Sequence, residues 1–494
     1  MQDANDLGLV IDAHISLVVL ETHDERRAID LLQRVARQRD LPLFSWTVTD
    51  GLRNAGFGLQ LQQSIAQHAE PEKMLEYLKN QAEPGIYCLC DFHPWLEDHP
   101  KNIRLLKDYC YRHSGLKSAV VLLSHRLTLP GELSRLSARF SMSLPSEEQI
   151  STLVREEAAN WSKRNNSRKV KTDNATLKQL VANLKGLTHS EVRRLVRGAI
   201  VDDGAITEED LPEINKAKFQ LMDMDGVLSY EYRTEKFSDV AGMNTLKEWL
   251  NKRREVFLGD HGDVDPPRGI LLTGVQGGGK SLSAKAVAGV WGVPLLRLDM
   301  AALYNKYHGE TERNLRESLA MAERMSPCVL WIDEIEKGLA TDGSDSALSQ
   351  RVLGTLLTWM AERSQPVFMV ATANDISKLP PELVRKGRFD ELFFVDLPDL
   401  ATRCDIFRIH LDKRSLSSND FDLQQLAQAS EGFSGAEIEQ VVVATLYSAK
   451  AGNSEPVTAA VLNEIHNTAP LSQVMAERIA ALRAWASERG VVAV

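Results

Sequence analysis

The sequence predicts an α/β protein built on a parallel β-sheet, with a second α/β region of the same plan in front of it. Four apolar runs predict the sheet, because they alternate with stretches of helical periodicity. These runs lie at residues 293–300, 327–336, 366–375 and 391–398. The N-terminal half repeats the order of the same elements with different residues, and ordered similarity of this kind indicates a duplicated architecture.

A glycine-rich stretch follows another apolar run and opens the first helix of the sheet region. Residues 274–281 read G-x-x-x-x-G-K-S, the pattern of a P-loop, or Walker A motif. In this motif backbone N–H groups wrap the phosphates, a lysine adds positive charge, and a serine hydroxyl binds Mg²⁺. An ordinary glycine-rich turn is the alternative, and the position between an apolar run and a helical pattern disfavours it. We expect ATP and Mg²⁺ to bind at Gly274, Val275, Gln276, Gly277, Gly278, Gly279, Lys280, Ser281 and Leu282.

Polar residues stand at the ends of two later strands of the predicted sheet. Asp333 and Glu334, a Walker B pair, follow an apolar run, and Asn374 follows the next strand. Ligands of such sheets bind at the carboxyl ends of the strands. We therefore expect Asp333 to hold Mg²⁺ together with Ser281, Glu334 to polarise the attacking water, and Asn374 to orient that water. A D-E pair alone is more often a turn that ends a strand, but its register with the P-loop favours the catalytic interpretation.

The composition argues against several classes of protein. With 58 Lys and Arg against 68 Asp and Glu, the net charge is −10, so no global positive field favours nucleic acid or an anionic membrane. No apolar run reaches the length of about 18 residues that a membrane helix needs, and acids near the N-terminus are unlike a secretory signal. Five cysteines without metal-ligand spacing indicate a reducing compartment. We expect a cytoplasmic protein, or one in a stroma-like soluble compartment, without a membrane partner.

Five motifs, taken in order, resemble the AAA branch of the AAA+ ATPases. They are KFSDVAGMNTLKEWL, IDEIEK, ATAND, LVRKGRFDELFFVDLP and GFSGAEIEQ, and the resemblance covers about residues 236–450. It implies a P-loop NTPase sheet with a helical lid, and a ring, typically of six subunits, that binds ATP between neighbours. It also implies that Asn374 senses the γ-phosphate. Further nucleotide contacts implied by the resemblance are Asp239, Val240, Ala241 and Gly242 beside the adenine, and Gly435 and Ala436 in the lid.

Two arginines in the segment RKGR match residues of that family that reach into the next subunit's site. By this resemblance Arg385 and Arg388 act on the phosphates bound by a neighbour, a role that suits a guanidinium fork. From the residues alone, RKGR is equally well a solvated turn. The sequence departs from the family at Lys386, where proline or another uncharged residue is usual, and this leaves the direction of Arg385 open.

The loop before the helix that Thr311 is expected to cap resembles the aromatic pore loop of AAA motors, which grips polypeptide threaded through the ring. Its residues are Lys306, Tyr307, His308 and Gly309. An aromatic residue in a loop more often packs against its own domain, so this alternative stays open.

The N-terminal half resembles a degenerate copy of the ATPase half. IYCLCDF stands in order where VLWIDE stands, and GLTHSEVRRLV matches GFSGAEIEQVV. The phosphate glycines are replaced by THDERRAI, Ala28 stands in place of the P-loop lysine, and Phe92 follows Asp91 at the position of the catalytic glutamate. We expect this half to bind no nucleotide, Asp91 to be a strand-end residue, and Arg135 and Arg139 to be structural.

The complete layout resembles the family of AAA ATPases named after a hypothetical plastid reading frame, number forty-six, which is also found in bacteria. The degenerate first half, the segment RVLGTLLTWM and the tail PLSQVMAERIAALRAWA carry this resemblance. We predict a degenerate AAA-like domain at residues 1–205, a linker at 206–235, the large ATPase subdomain at 236–398, a helical lid at 399–470 and a C-terminal helix, capped by Ser472, at 471–494.

The predicted function is that of an ATP-hydrolysing homo-oligomeric ring that remodels or partly unfolds a protein partner. A nucleotide-switched assembly scaffold, which uses ATP but pulls nothing, is the first alternative. An ATP-dependent nucleic-acid translocase is the second, and the acidic charge balance counts against it. The identity of the partner does not follow from the sequence.

Overall fold

The computed structural model describes residues 2–494 apart from residues 56–67, 202, 222–226, 232–239, 260–263, 305–310, 340–345, 386 and 454. The chain divides into two compact units. Unit 1 consists of Met1–Ser146 and Thr188–Val192, and unit 2 consists of Glu147–Leu187 and Arg193–Val494.

Unit 1 contains a six-stranded sheet in the order β3-β2-β4-β5-β1-β6. Strand β3 is antiparallel to β2, and the other neighbouring pairs are parallel. The strands are β1 (Leu17–Glu21), β2 (Leu43–Thr47), β3 (Gly51–Asn54), β4 (Ile86–Cys90), β5 (Ala119–Ser124) and β6 (Ser137–Phe140). The helices are α1 (Gln2–Asp12), α2 (Glu25–Gln38), α3 (Pro71–Asn80), α4 (Pro100–Arg112) and α5 (Gly131–Ser134).

The central strands of unit 1 are apolar on both faces. Strands β4 and β5 are buried at every position, because one face packs in a cluster with Tyr87 and Leu89 and the other in a cluster with Cys88 and Cys90. A strand covered by helices on both sides reads as a continuous apolar run. The two cysteines are therefore core residues.

Unit 2 contains a seven-stranded sheet in the order β13-β12-β8-β11-β10-β9-β7. Strand β7 is antiparallel to β9, and the other neighbouring pairs are parallel. The strands are β7 (Leu228–Tyr230), β8 (Gly269–Gly274), β9 (Leu295–Leu298), β10 (Cys328–Ile332), β11 (Val367–Ala373), β12 (Glu391–Val395) and β13 (Val492–Ala493).

The helices from residue 147 onward fall into three groups along the chain. Before the sheet come α6 (Glu147–Arg164), α7 (Asn174–Asn183), α8 (His189–Val201) and α9 (Leu211–Leu221). Among the strands lie α10 (Asn244–Asn251), α11 (Arg254–Leu258), α12 (Lys280–Trp291), α13 (Met300–Tyr304), α14 (Thr311–Arg324), α15 (Ile335–Leu339) and α16 (Ser346–Glu362). After β12 come α17 (Leu400–Asp412), α18 (Leu423–Ala429), α19 (Gly435–Ala451), α20 (Thr458–His466), α21 (Leu471–Val474) and α22 (Ala476–Glu488).

The same strand order occurs in both sheets. Five strands of unit 2 follow the order β12-β8-β11-β10-β9, and five strands of unit 1 follow the order β6-β1-β5-β4-β2. When the five strands of each set are numbered in chain order, both sets have the order fifth, first, fourth, third, second across the sheet. Helices α17 to α20 share a separate apolar core, which is the helical lid. The predicted fold class is confirmed. It is a parallel P-loop sheet with a helical lid, preceded in the chain by a related α/β region.

The segment predicted as a linker contains regular structure. Helix α9 buries Leu211 and Ile214, and β7 hydrogen-bonds to the edge of the sheet at β9. The stretch is acidic at first and then amphipathic, and α9 extends into the amphipathic part. Unit 1 also ends earlier than the predicted boundary at residue 205, because α6 and the later part of α8 are joined within unit 2 by the buried Glu157, which pairs with Arg193 and Arg197.

The segment 471–494, predicted as one helix capped by Ser472, is broken into two helices and a strand. Glu437 accepts a hydrogen bond from the N–H of Leu471 at 2.6 Å, so a short helix starts there. The longer helix then starts after Met475. Gly490, with a φ of +61°, turns the chain into β13, which pairs with β12.

Candidate nucleotide site

Strand β8 brings the glycine-rich loop to the carboxyl edge of the sheet. All six residues of β8 are buried. Its last residue, Gly274, has a φ of +138°, and a Cβ there would lie 2.0 Å from the carbonyl oxygen of Val395. Gly279, with a φ of +95°, is the N-cap of α12. Both positions need glycine. The first N–H groups of α12 have no partner within the helix, which is the arrangement that binds phosphate.

Lys280, the first residue of α12, is buried inside the loop. Its ammonium group donates to the carbonyl oxygens of Gly274 at 3.0 Å and Val275 at 2.9 Å. Burial lowers the pKa of Lys280 to about 8, and three nearby carboxylates oppose this shift. An anion bound at this position would favour the charged form of the side chain.

Asp333 directly follows β10 and accepts two hydroxyl hydrogen bonds. The Oγ of Ser281 donates to Asp333 Oδ1 at 3.1 Å, and the Oγ1 of Thr372 donates to the same oxygen at 2.6 Å. Hard divalent cations such as Mg²⁺ prefer oxygen ligands of this kind. The structure thus brings together the two residues that the sequence assigned to the metal.

Glu334 and Asn374 meet from neighbouring strands. The Nδ2 of Asn374 donates to Glu334 Oε1 at 2.7 Å, and the N–H of Glu334 donates to the hydroxyl of Thr372 at 2.9 Å. Glu334 has a φ of +49°, a conformation that is rare for a residue with a side chain. Lys337 forms an ion pair with the other carboxylate oxygen. The side chains predicted to handle the attacking water are therefore in direct contact.

Sequence reasoning missed two residues of this group, Thr372 and Glu336. Thr372 links Asp333 to the backbone of Glu334, although in the sequence it is one polar residue in a buried strand. Glu336 accepts from the backbone N–H of Asn374 at 2.9 Å, and burial raises the pKa of its carboxyl group. The signal for Glu336 was an acid two residues after Glu334 at the start of α15, but that pattern does not reveal burial.

The site encloses a cavity of about 820 Å³, which Thr372 lines and Glu336 does not; this volume suits a nucleotide. Gly274 and Val275 do not line it and instead accept from Lys280. Asp239 lies outside the described residues. The predicted residues that line the cavity are Val240, Ala241, Gly242, Gln276, Gly277, Gly278, Gly279, Lys280, Ser281, Leu282, Asp333, Glu334, Asn374, Gly435 and Ala436. The glycine loop, the buried lysine and the paired hydroxyl and carboxylate fit a nucleotide with Mg²⁺.

Arg385 and Arg388 lie in the segment before β12, and neither lines the cavity of its own chain. The Nη1 of Arg388 donates to the carbonyl oxygen of Leu357 at 3.2 Å. Lys386 lies outside the described residues. The same holds for the predicted pore loop, Lys306, Tyr307, His308 and Gly309.

The corresponding edge of unit 1 has a short connection between β1 and α2, residues 22–24. Asp24 is buried there and is the N-cap of α2. Its carboxylate accepts from the N–H of Arg27 at 3.5 Å and from the N–H of Ser190, in the first turn of α8, at 3.3 Å. A side-chain carboxylate thus occupies the helix N-terminus that corresponds to the phosphate position of unit 2.

Ala28, Arg139 and Arg135, which correspond to site residues of unit 2 in the sequence, differ in their surroundings. Ala28 is fully buried. The Nη1 of Arg139 contacts both carboxylate oxygens of Glu21 at 3.3 Å, and its Nη2 donates to the carbonyl oxygen of Leu127 at the same distance. Arg135 is exposed.

None of the helices described in the structure combines the length and apolarity needed to cross a lipid bilayer.

Comparison with known proteins defines the class of the chain. Residues 270–397 match the profile of the ATPase family associated with various cellular activities (AAA), and residues 420–457 match the AAA+ lid domain. Residues 3–142 and 148–225 match the N-terminal and second domains of SpoVK-like AAA ATPases. The chain is thus an AAA-type member of the AAA+ ATPases, a family of nucleotide-binding proteins.

Full-length relatives narrow the family further. The chain is 33% identical over 499 residues to the uncharacterized AAA domain-containing protein ycf46 of Trieres chinensis, which covers 99% of this chain and 97% of that protein. It is 34% identical over 501 residues to the ycf46 protein of Guillardia theta, covering 99% and 95%. The chain therefore belongs to the ycf46 family of AAA domain-containing proteins. A proteasome-activating nucleotidase of Aeropyrum pernix is 38% identical over 202 residues, which are 40% of this chain and 49% of that protein.

Proposed function

We propose that unit 2 binds ATP with Mg²⁺ and hydrolyses it to ADP and phosphate. One observation carries the proposal: Ser281, Asp333, Glu334 and Asn374 form a continuous group at the edge of the sheet, beside the loop that buries Lys280. Thr372 connects the two halves of this group. The arrangement provides a phosphate cradle, oxygen ligands for a metal and a base next to an orienting amide.

Each side chain has a separate task in this reaction. Lys280 and the first N–H groups of α12 bind the phosphates, and Ser281 and Asp333 hold the metal. When bound, Mg²⁺ neutralises charge on the phosphate oxygens. Glu334 polarises the attacking water, while the amide of Asn374 fixes one of its carboxylate oxygens at 2.7 Å and orients the water beside the γ-phosphate.

We propose further that the chain assembles into a homo-oligomeric ring, of six subunits by its resemblance to AAA motors. Arg385 and Arg388 do not line the cavity of their own chain, and a cation near the γ-phosphate is the usual complement of such a site. A neighbouring subunit would supply it. Asp239 to Gly242 would lie beside the adenine, and the lid residues Gly435 and Ala436 would contact the nucleotide.

We propose that the ring acts on a protein partner, which it remodels or partly unfolds. The support is the similarity of the ATPase half to a proteasome-activating nucleotidase and the aromatic loop with Tyr307, which offers a ring that grips side chains without sequence preference. The net charge of −10 favours a protein over nucleic acid. A reducing compartment, the cytoplasm or a stroma, is supported by the five cysteines, all of which are free.

A comparison of the wild-type chain with two full-length variants separates this motor from a nucleotide-switched scaffold. We expect α-casein, an unfolded polypeptide, to stimulate the ATPase of the wild-type protein and of Tyr307→Phe, because the grip needs the ring and not the hydroxyl. Tyr307→Ala should keep basal ATPase and ring assembly but lose the stimulation. Equal stimulation of Tyr307→Ala and wild type contradicts threading, and a wild-type ATPase that ignores casein favours the scaffold.

A further inference from the structure

Unit 1 contains a group of metal-ligating side chains at the edge of its own sheet. Asp91, His93 and His125 each offer one ligand atom, and these three atoms lie within 4.8 Å of one another. Asp91 and His125 are exposed and His93 is half-buried. None of these three residues lines the cavity of the candidate nucleotide site.

The shared strand order shows where this group stands in the fold. Asp91 directly follows β4 as Asp333 directly follows β10, and His125 directly follows β5 as Asn374 directly follows β11. In the two sets of five strands that share an order, these strands are the third and fourth in the chain and are neighbours in the sheet. The edge that carries a carboxylate and an amide in unit 2 therefore carries a carboxylate and an imidazole in unit 1, and His93 adds a second imidazole.

The surroundings of His93 accommodate a tautomer that suits a metal. The Oγ of Ser124, the last residue of β5, lies 2.8 Å from His93 Nδ1 and donates to the carbonyl oxygen of Arg126 at 3.3 Å. A hydroxyl has one proton to donate, and Ser124 can give it to Arg126 while it accepts from the Nδ1–H of His93. The lone pair then resides on Nε2, the nitrogen left for a ligand bond. A hydrogen bond to the second ring nitrogen is the usual support of a metal-bound histidine.

Three imidazole rings lie close together at the carboxyl ends of these strands. The ring of His125 lies 5.2 Å from that of His93 at an interplanar angle of 83°, and 5.8 Å from that of His23. His23 comes from the short connection before α2, which replaces the P-loop. Because Asp24 already caps α2, the edge is arranged for a cation and not for a phosphate.

We propose that Asp91, His93 and His125 bind a divalent transition metal, with Zn²⁺ the best match. Two imidazoles and a carboxylate are a common ligand set for zinc, whereas Mg²⁺ and Ca²⁺ prefer all-oxygen sites. Tetrahedral ligands about 2.1 Å from zinc lie about 3.4 Å apart, so ligand atoms that lie within 4.8 Å of one another draw together by at most about 1.4 Å on binding. Three protein ligands leave the fourth position to water or to His23.

The test is Zn²⁺ binding to the full-length, nucleotide-free protein after removal of metals with a chelator. Calorimetry should find one zinc per chain in the wild type. His93→Ala and His125→Ala should each weaken binding about 100-fold or more, and Ser124→Ala, which removes only the supporting hydroxyl, about 10-fold. His14→Ala is the matched control, because His14 is exposed and precedes β1, at the opposite edge of the sheet; it should bind zinc like the wild type.

Two further measurements keep this result independent of folding and of ATP hydrolysis. Zinc should raise the melting midpoint of the wild type and of His14→Ala but not of His125→Ala, while all three proteins have the same circular dichroism without metal. Lys280→Ala, which disables the proposed ATP site, should bind zinc normally. Wild-type affinity in both His93→Ala and His125→Ala, or a wild-type protein that binds no zinc at micromolar concentration, overturns the proposal.

Discussion

Three neighbouring residues hold Glu334 in position, in addition to strand β10, which ends two residues before it. Thr372 holds its backbone, Asn374 holds one carboxylate oxygen, and Lys337 pairs with the other. A side chain fixed in this way loses little freedom when it polarises a water molecule. We therefore expect the function of Glu334 to be sensitive to the replacement of a single carboxylate oxygen.

Replacing Glu334 with glutamine should leave ATP affinity intact and lower turnover by about 100-fold or more, because the amide keeps the shape but cannot act as a base. Steady-state ATPase assays and ATP titrations measure the two effects. Glu362→Gln, an exposed glutamate at the end of α16, is the control and should behave like the wild type. An equal loss of affinity and turnover in Glu334→Gln removes the residue from this role.

Lys218 introduces a pH dependence of stability. Its ammonium is fully buried and donates to the carbonyl oxygens of Asn183 at 2.9 Å and Lys185 at 2.6 Å. Burial lowers the pKa of Lys218 from 10.5 to about 7; the Cys328 thiol opposes the shift and the Lys185 charge adds to it. Between these two values the unfolded chain binds more protons than the folded chain. The free energy of unfolding therefore rises with pH in this window.

The melting midpoint measured from pH 7 to pH 9 checks this expectation. Lys280, whose pKa is lowered to about 8, contributes a rise of its own, so the comparison is with Lys218→Met. At pH 9 this variant should have a lower melting midpoint than the wild type, since two carbonyl oxygens lose their donor. Between pH 7 and pH 9 its melting midpoint should rise less than that of the wild type. Identical pH slopes in the two proteins contradict a lowered pKa at Lys218.

The site residues differ in how far the sequence could predict them. Lys280, Asp333 and Glu334 belong to motifs whose spacing follows from the chemistry of phosphate and metal binding, and the structure places them around one cavity. Thr372 and Glu336 act through burial and long-range hydrogen bonds, which no local pattern encodes. These contacts form only because β10 pairs with β11 in the folded chain.

At the scale of elements, the N-terminus of α2 is closed by the protein itself. Asp24 caps α2 and also accepts from the first turn of α8, whereas α12 begins at a glycine without a side-chain cap. The carboxylate satisfies N–H groups of two helices at once, a task that a bound phosphate would perform in a nucleotide site. Unit 1 should therefore be stable without nucleotide.

Removing this cap should destabilise the ends of both helices. We expect Asp24→Ala to cost about 1–2 kcal/mol and to speed amide hydrogen exchange in α2 and in the first turn of α8. Asp30→Ala, which removes an exposed acid from the middle of α2, should leave exchange unchanged. Unaltered exchange at the start of α8 in Asp24→Ala shows that the carboxylate does not join the two helices.

The elements themselves were predictable where their pattern was strong. Strands β9 to β12 follow apolar runs bounded by turns, and the structure confirms them. The elements α9 and β7 lie in an acidic stretch and gain their structure from packing and from pairing with β9. The final strand β13 was also missed, because two residues at a sheet edge leave no periodicity to detect.

At the scale of the whole molecule, the proposed ring makes each site depend on two chains. Mixing Arg388→Ala subunits with Lys280→Ala subunits should regenerate part of the ATPase activity, because some intact cavities then face an intact arginine. An arginine in this position contributes about 10³- to 10⁵-fold in related chemistry, so partial rescue is measurable. Mixed subunits that stay as inactive as the separate variants indicate a site complete within one chain.

The central claim is that the chain carries two related sheets but one nucleotide site. Equilibrium binding of ATP with Mg²⁺ to the full-length Glu334→Gln protein, at millimolar nucleotide, tests it most directly. One ATP per chain, lost when Lys280→Ala is added, is the predicted result. Two ATP per chain, or binding that survives the Lys280→Ala change, would place a nucleotide in unit 1 and contradict the account.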